Sequence, residues 1–260
     1  MDLLETIILG IIEGITEFLP ISSTAHLIFF SKVLGLKQTE FIKLFEVFIQ
    51  SGAILSVIFI YFSYLKTNSW LIKYLLISFL PTALVGFLLH KIIKSVFFES
   101  IYLIVFSLFF IGLLFIIFEK FVFEKRKKFL SLKNIDFYQA LIIGFCQSLA
   151  IVPGVSRAGA VILTMMIIGF KRKDSALYSF LLAVPTIFSA SFYDFYKSKE
   201  LFLNNLNYLY LLVLGFIISF IFAYLSVKWL VDYLRKHNLI FFGIYRILLA
   251  IIILIIVSVV

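Results

Sequence analysis

The stretch Glu13-Gly14-Ile15-Thr16-Glu17-Phe18-Leu19-Pro20-Ile21-Ser22-Ser23-Thr24-Ala25-His26 crowds two carboxylates, a run of hydroxyls and an imidazole into fourteen residues. The chain around it is 63% apolar and only 14% charged, so polar groups here need a reason. Glu13 and Glu17 are four apart and share a face if the segment is helical. Pro20 breaks that helix. Ser22, Ser23 or Thr24 then caps a second one, whose first N–H groups are left free. His26 falls three residues after Ser23, on the same face. Carboxylates, a helix N-terminus and a Ser/His pair together suit a phosphate-and-metal site.

Composition fixes the surroundings. With 33 Phe, 13 Tyr and a mean hydropathy of +1.14, the 260 residues read as an all-α polytopic membrane protein. The acidic start, Met1-Asp2-Leu3-Leu4-Glu5, lacks a basic n-region, so no removable signal peptide is expected. The single cysteine, Cys146, allows no internal disulfide and reads as a buried small hydrophobe. The net charge of +9 is a topology and lipid-contact signal in such a chain, and no nucleic-acid partner is expected.

Six stretches read as full spans: 41–62, 71–91, 101–119, 175–196, 206–230 and 239–260. Two others are interrupted, 6–35 by the opening stretch and 138–170 by Pro153-Gly154-Val155-Ser156-Arg157. Their arms are too short to cross a bilayer and read as two re-entrant helical hairpins. Irregular backbone at membrane depth survives only inside protein or beside a water-filled cavity, so both breaks belong in the interior.

The two breaks also resemble each other. Gly10-Ile11-Ile12-Glu13 is similar to Gly144-Phe145-Cys146-Gln147, and Pro20 and Ser23 align with Pro153 and Ser156 once a one-residue gap is allowed. Residues 1–260 then form a single membrane domain of two halves, 1–120 and 136–260, joined by the basic segment 119–135. A hairpin plus three spans per half makes an inverted-topology repeat. With the join placed in the cytoplasm, fourteen basic residues lie on that side and seven outside, including Lys91, Lys94 and Lys199. That bias follows the positive-inside rule and sends the first hairpin in from the outer face.

Charges inside such segments are functional candidates. Glu13 and Glu17 suit a divalent cation or acid–base work, or an ion pair with Arg157. Arg157, after Gly154 and Ser156 at an expected helix start, has a fork suited to phosphate oxygens. Ser23 with His26 as base, or His26 itself, is the expected nucleophile. Ser22 and Thr24 divide between capping and ligand contact, and Glu46 and Gln50 share a face of the next span near the site. Arg246 reads as a structural ion or carbonyl partner, or as snorkelling. Pro81 and Pro185 read as kinks, and His90 and His237 lie at span ends.

At these residues the chain resembles the bacterial undecaprenyl-diphosphate phosphatases of the bacitracin-resistance type. The family's first motif, Glu-Gly-x-Thr-Glu-Phe-Leu-Pro-x-Ser-Ser-Thr-Gly-His, matches residues 13–26 except at Ala25. The second, Pro-Gly-x-Ser-Arg-Ser-Gly-x-Thr, matches 153–161 except at Ala158 and Val161. Glu46, Gln50, Phe180 to Pro185, and Tyr245-Arg246 are further landmarks, and the likeness runs nearly end to end. The resemblance implies hydrolysis of undecaprenyl diphosphate to undecaprenyl phosphate and inorganic phosphate. That recycles the carrier lipid of peptidoglycan and other wall polymers and confers bacitracin resistance. It implies a divalent cation, Mg²⁺ or Ca²⁺, handled with the diphosphate by Glu13 and Glu17; phosphate binding by Arg157; and Ser23 or His26 as nucleophile or base. The residues themselves add expected substrate contacts at Ser22, Thr24, Gly154, Ser156, Glu46 and Gln50. The expected setting is the bacterial inner (plasma) membrane with the active site opening to the outer face, and a homodimer is one open oligomeric state. The rival readings are a transporter or flippase of a prenyl-phosphate lipid, an intramembrane serine protease using Ser23 and His26, and a non-catalytic scaffold.

Overall fold

The computed structural model describes residues 1–92, 100–198 and 206–259, so Lys94 and Lys199, with the side chains of His90 and Lys91, lie outside the described residues. Among the described residues ten α-helices follow in order: α1 (Leu3–Thr16), α2 (Ser23–Val33), α3 (Glu40–Thr67), α4 (Trp70–Ile92), α5 (Ile101–Phe118), α6 (Phe137–Ser148), α7 (Arg157–Ile168), α8 (Arg172–Lys197), α9 (Leu206–Lys236) and α10 (Ile240–Val259). Helix α5 runs on through a π-helical turn, Glu119–Phe123. Among the described residues no β-strand forms beyond a lone bridge between Leu130 and Phe170.

Length sorts these helices into two kinds. Six are long and apolar enough to cross a membrane, at Glu40–Thr67, Trp70–Leu89, Ile101–Phe123, Arg172–Lys197, Leu206–Lys236 and Ile240–Ser258. These are the six expected spans, and the chain is a multi-pass membrane protein. The other four, α1, α2, α6 and α7, hold 14, 11, 12 and 12 residues. At 1.5 Å per residue, 14 residues reach about 21 Å, short of a hydrocarbon core about 30 Å thick. The two short pairs are consistent with re-entrant hairpins.

The same local chemistry builds both pairs. Helix α1 starts in a capping box between Asp2 and Glu5, and α6 in one between Asp136 and Gln139. Helix α2 is capped by Ser22 at φ 74°, and α7 by Ser156 at φ 72°. Among the described residues these two serines are the only non-glycines with positive φ. Such backbone is strained for an L-residue and persists only where its surroundings impose it. Asp2 and Asp136, like Ser22 and Ser156, are 134 residues apart. The structural correspondence therefore needs no gap, and Ser156 answers to Ser22 rather than to Ser23. A cap is recognised by its backbone angle, which the letters Ser-Ser do not reveal.

Helices from the two ends of the chain interlock. Helix α1 packs on α9, the second span of the other half, and α6 packs on α4, the second span of the first. The spans α3 and α8 pack on each other, as do α5 and α10. Close approach rests on missing side chains. A Cβ on Gly14 would lie 2.6 Å from the Ser219 carbonyl oxygen, and one on Gly144 would lie 2.3 Å from that of Ser78. In lipid, such small-residue contacts and interhelical hydrogen bonds replace the hydrophobic drive between helices. Ser78 donates to the Ala140 carbonyl at 2.6 Å, and Ser226 to that of Ile15 at 2.8 Å. Large apolar side chains such as Phe59, Phe87, Phe106 and Phe192 remain exposed on the bundle's flank, as a lipid-facing surface requires.

A Gly144→Val substitution is expected to lower the melting temperature in detergent by several degrees, reflecting an overpacking cost of about 1–3 kcal/mol or more. A Cβ added at Gly86 meets nothing within 4 Å, so Gly86→Val is the expected near-neutral control.

Candidate active site

The turn between α1 and α2 carries the first set of polar groups, and the start of α7 the second. Glu17 closes the C-terminal end of α1, and Ser23 opens α2. The Ser23 hydroxyl donates to Glu17 Oε2 at 2.6 Å. Arg157, the first residue of α7, donates through Nη2 to Glu17 Oε1 at 3.2 Å and through Nη1 to the Ser179 carbonyl at 2.8 Å. One buried carboxylate thus joins the hydroxyl of one hairpin to the guanidinium of the other. Removing Glu17 or Arg157 alone would leave an uncompensated buried charge.

A second arginine fixes the two tips. Arg246 on α10 is wholly buried. It donates through Nη1 to the Pro20 carbonyl at 3.0 Å, and through Nη2 to the carbonyls of Gly154 and, at 3.1 Å, Val155. These carbonyls belong to the broken backbone of both hairpins, which has no helical partner for them. Arg246 is therefore a carbonyl partner, one of the roles open to it from sequence.

His26 is held away from this cluster. Its Nδ1 lies 2.7 Å from the Ser22 carbonyl, which only accepts, so Nδ1 carries a proton. Its Nε2 meets the Tyr245 hydroxyl at 2.8 Å, and the two rings stack at 5.7 Å. The Ser23 hydroxyl turns to Glu17, not to His26, so the spacing of three residues does not form a Ser/His pair.

Between the tips lies a cavity of about 200 Å³. Glu17, Ser22, Ser23 and Thr24 line it from the first hairpin, and Pro153, Gly154, Ser156 and Arg157 from the second. Gln50, Thr82, Gln147 and Thr186 form other walls. Ser156 caps α7 by accepting from the Gly159 N–H at 3.1 Å, so the free N–H groups of α7 start beside Arg157. A guanidinium beside a helix N-terminus suits an anion.

Glu13 and Glu46 stand back from the cavity. Glu46 accepts from the Ser31 hydroxyl at 2.7 Å and from Gln38 Nε2 at 3.3 Å, which ties it to α2 and the segment after it. Glu13 is fully buried one turn before Glu17, and neither of its oxygens has a hydrogen-bond partner. Two orphaned carboxylate oxygens next to a second acid fit a cation. Among the described residues no cluster of three or more Asp, Glu, His or Cys forms. The protein would thus give a cation one or two carboxylates and leave the remaining places to phosphate oxygens and water, the usual pattern for Mg²⁺.

Sequence reasoning left Thr82, Gln147 and Thr186 out of the site and gave Tyr245 no role toward His26. Two signals were available. Gln147 occupies the repeat position of Glu13, and Thr82 and Thr186 each follow a proline in an apolar span.

A family model described as bacitracin resistance protein BacA matches residues 6–252. The chain belongs to the BacA family. An undecaprenyl-diphosphatase of Sulfurihydrogenibium sp. is 50% identical over 252 residues, covering 96% of this chain and 98% of that relative. Relatives of the same name from Persephonella marina and Aquifex aeolicus are 46% and 42% identical, and each covers 95% or more of both chains. The BacA resemblance read from residues 13–26 and 153–161 thus extends over nearly the whole chain, despite Ala25, Ala158 and Val161.

Replacing Arg246 by Met is expected to lower the melting temperature in detergent by about 5 °C or more, because each buried carbonyl left bare costs about 1–3 kcal/mol. Thermal unfolding of the purified protein checks this.

Proposed function

We propose that this chain is a phosphoanhydride hydrolase that converts undecaprenyl diphosphate to undecaprenyl phosphate and inorganic phosphate, returning the carrier lipid to cell-wall synthesis. The observation that carries the reading is the Ser23–Glu17–Arg157 linkage inside the cavity, in a chain of the BacA family. Arg157 and the first N–H groups of α7 bind the terminal phosphate and offset the charge that grows on it during transfer. Glu17 takes the Ser23 proton as Ser23 Oγ bonds to the terminal phosphorus. The bond from that phosphorus to the bridging oxygen breaks, and undecaprenyl phosphate leaves with the electron pair. Water then bonds to phosphorus, the bond to Ser23 Oγ breaks, and Glu17 returns the proton to Ser23. Both water protons depart on the released phosphate.

His26 keeps the strained Ser22 cap in place through the Ser22 carbonyl, and Tyr245 holds the ring. Glu13 and Glu17 would hold a Mg²⁺ or Ca²⁺ ion, which when bound supplies positive charge to the diphosphate oxygens. The excess of basic residues on the side of the 119–135 join supports a bacterial plasma-membrane protein whose cavity opens outward. A Ser23–Glu17 pair beside a phosphate-binding arginine favours hydrolysis over transport of the same lipid.

The decisive assay uses the purified full-length protein in detergent with a prenyl diphosphate and Mg²⁺ or Ca²⁺. Phosphate release is expected, and its absence sinks the enzyme reading. Arg157→Ala and Ser23→Ala are each expected to cut kcat by about 10²-fold or more. Rapid quenching in denaturant at neutral pH, which preserves both phosphoserine and phosphohistidine, is expected to place label from a terminally labelled substrate on Ser23. Label on His26 would transfer the nucleophile's role to it. Chelation of divalent ions is expected to stop turnover and re-addition to restore it, whereas full activity in chelator would remove the cation from the scheme.

A further inference from the structure

Gln147 stands on α6 where α1 has Glu13, 134 residues earlier. It is buried, with 1% of its surface exposed, and lines the cavity. Its amide nitrogen donates to Thr82 Oγ1 on α4 at 2.7 Å and to Thr186 Oγ1 on α8 at 3.3 Å. Each of those hydroxyls has already given away its single proton. Thr82 donates to the Gly144 carbonyl at 3.0 Å, and Thr186 to the Leu182 carbonyl at 2.8 Å. Both threonine oxygens can therefore only accept from the amide, so the end that meets them must be nitrogen. Three helices thereby fix the orientation of Gln147. Its remaining oxygen, Oε1, is buried and has no hydrogen-bond partner.

A fixed, orphaned carbonyl oxygen calls for a proton donor or a cation. A deprotonated phosphate oxygen is itself an acceptor and is repelled. The cation-binding carboxylates, Glu13 and Glu17, are on the other hairpin. Water is the small donor that a polar wall of a phosphate-binding cavity admits. We propose that Gln147 Oε1 accepts a hydrogen bond from the water that attacks phosphorus and so aims its lone pair at the phosphoseryl group. This rests on the phosphatase reading with Ser23 as nucleophile. In that step the bond from water oxygen to phosphorus forms and the bond from phosphorus to Ser23 Oγ breaks. Ser23 recovers the proton held on Glu17, and both water protons leave on the phosphate. Gln147 gains no proton and only orients.

The proposal separates the two half-reactions, because the first uses no water. The test compares the full-length wild type with Gln147→Met, which keeps the volume and lacks the oxygen, and with Thr186→Val, which loosens the amide. All three are assayed in detergent with a terminally labelled prenyl diphosphate and Mg²⁺. In Gln147→Met, hydrolysis of the phosphoseryl group is expected to slow about tenfold or more, the scale of one hydrogen bond lost from a transition state, and kcat falls as that step becomes limiting. Its kcat/KM should stay within about threefold of wild type, since that ratio reports the first transfer. Phosphorylated Ser23, scarce in wild type, should accumulate, and Thr186→Val should move each reading the same way but less.

An unchanged rate of phosphoseryl hydrolysis in Gln147→Met overturns the proposal. So does an equal fall in kcat and kcat/KM without phosphoenzyme, which marks a structural role, or a large rise in the Mg²⁺ needed for half-saturation, which marks a cation ligand. Should Gln147→Met fail to fold, the phosphoenzyme level in Thr186→Val decides alone, and no rise above wild type sinks the idea. A wild type that releases no phosphate refutes the phosphatase reading itself, and this proposal with it.

Discussion

Three carbonyl oxygens, on Pro20, Gly154 and Val155, meet one buried guanidinium, that of Arg246. Both hairpins must break their helices to bring polar groups into the bundle, and each break strips backbone groups of their helical partners. In an apolar interior such groups cannot turn to water, so the breaks persist only where another donor meets them. Arg246 meets both at once, from a third element, and so sets the distance between the tips. The Glu17–Arg157 pair and the strained caps at Ser22 and Ser156 depend on that spacing.

The two hairpins share one plan and carry different chemistry. Each begins in an aspartate capping box and ends in a serine cap at positive φ, and each packs its first helix on the second span of the other half. Positions 134 residues apart then diverge: Glu13 faces Gln147 in this correspondence, and Ser23 faces Arg157. The first hairpin supplies acid and hydroxyl, and the second supplies a guanidinium and a neutral amide. A symmetric pair would hold either two like charges or two identical donors. Transfer of a phosphoryl group needs a nucleophile on one side and charge compensation on the other.

Much of this was legible in the chain itself. Six apolar runs gave the six spans, because crossing a membrane demands length and apolarity and both are written along the sequence. The proline and glycine breaks at Pro20 and Pro153-Gly154 located the hairpin tips, and the motif residues at 13–26 and 153–161 carried the family. Spacing alone misled in two places. Ser23 and His26 are three apart yet part company, because the Ser22 carbonyl and Tyr245 take both ring nitrogens. Glu46 shares a helix face with Gln50, but only Gln50 reaches the cavity, since Ser31 and Gln38 hold the carboxylate elsewhere.

The sequence by itself thus determined the class of protein, the number of spans, the two interrupted segments and the identities of the charged groups that meet between them. Each of these follows from local chemistry: hydropathy over a window, a helix breaker, a cap. Only the tertiary structure decided which group serves which. It joined Ser23 to Glu17, set Arg246 on both tips, and drew Gln147 into the cavity between Thr82 and Thr186. The last two sets of partners are 226, 65 and 39 residues apart, and hydrogen bonds over such separations are set by how helices cross; Ser23 and Glu17, 6 apart, are joined by the shape of the turn between α1 and α2.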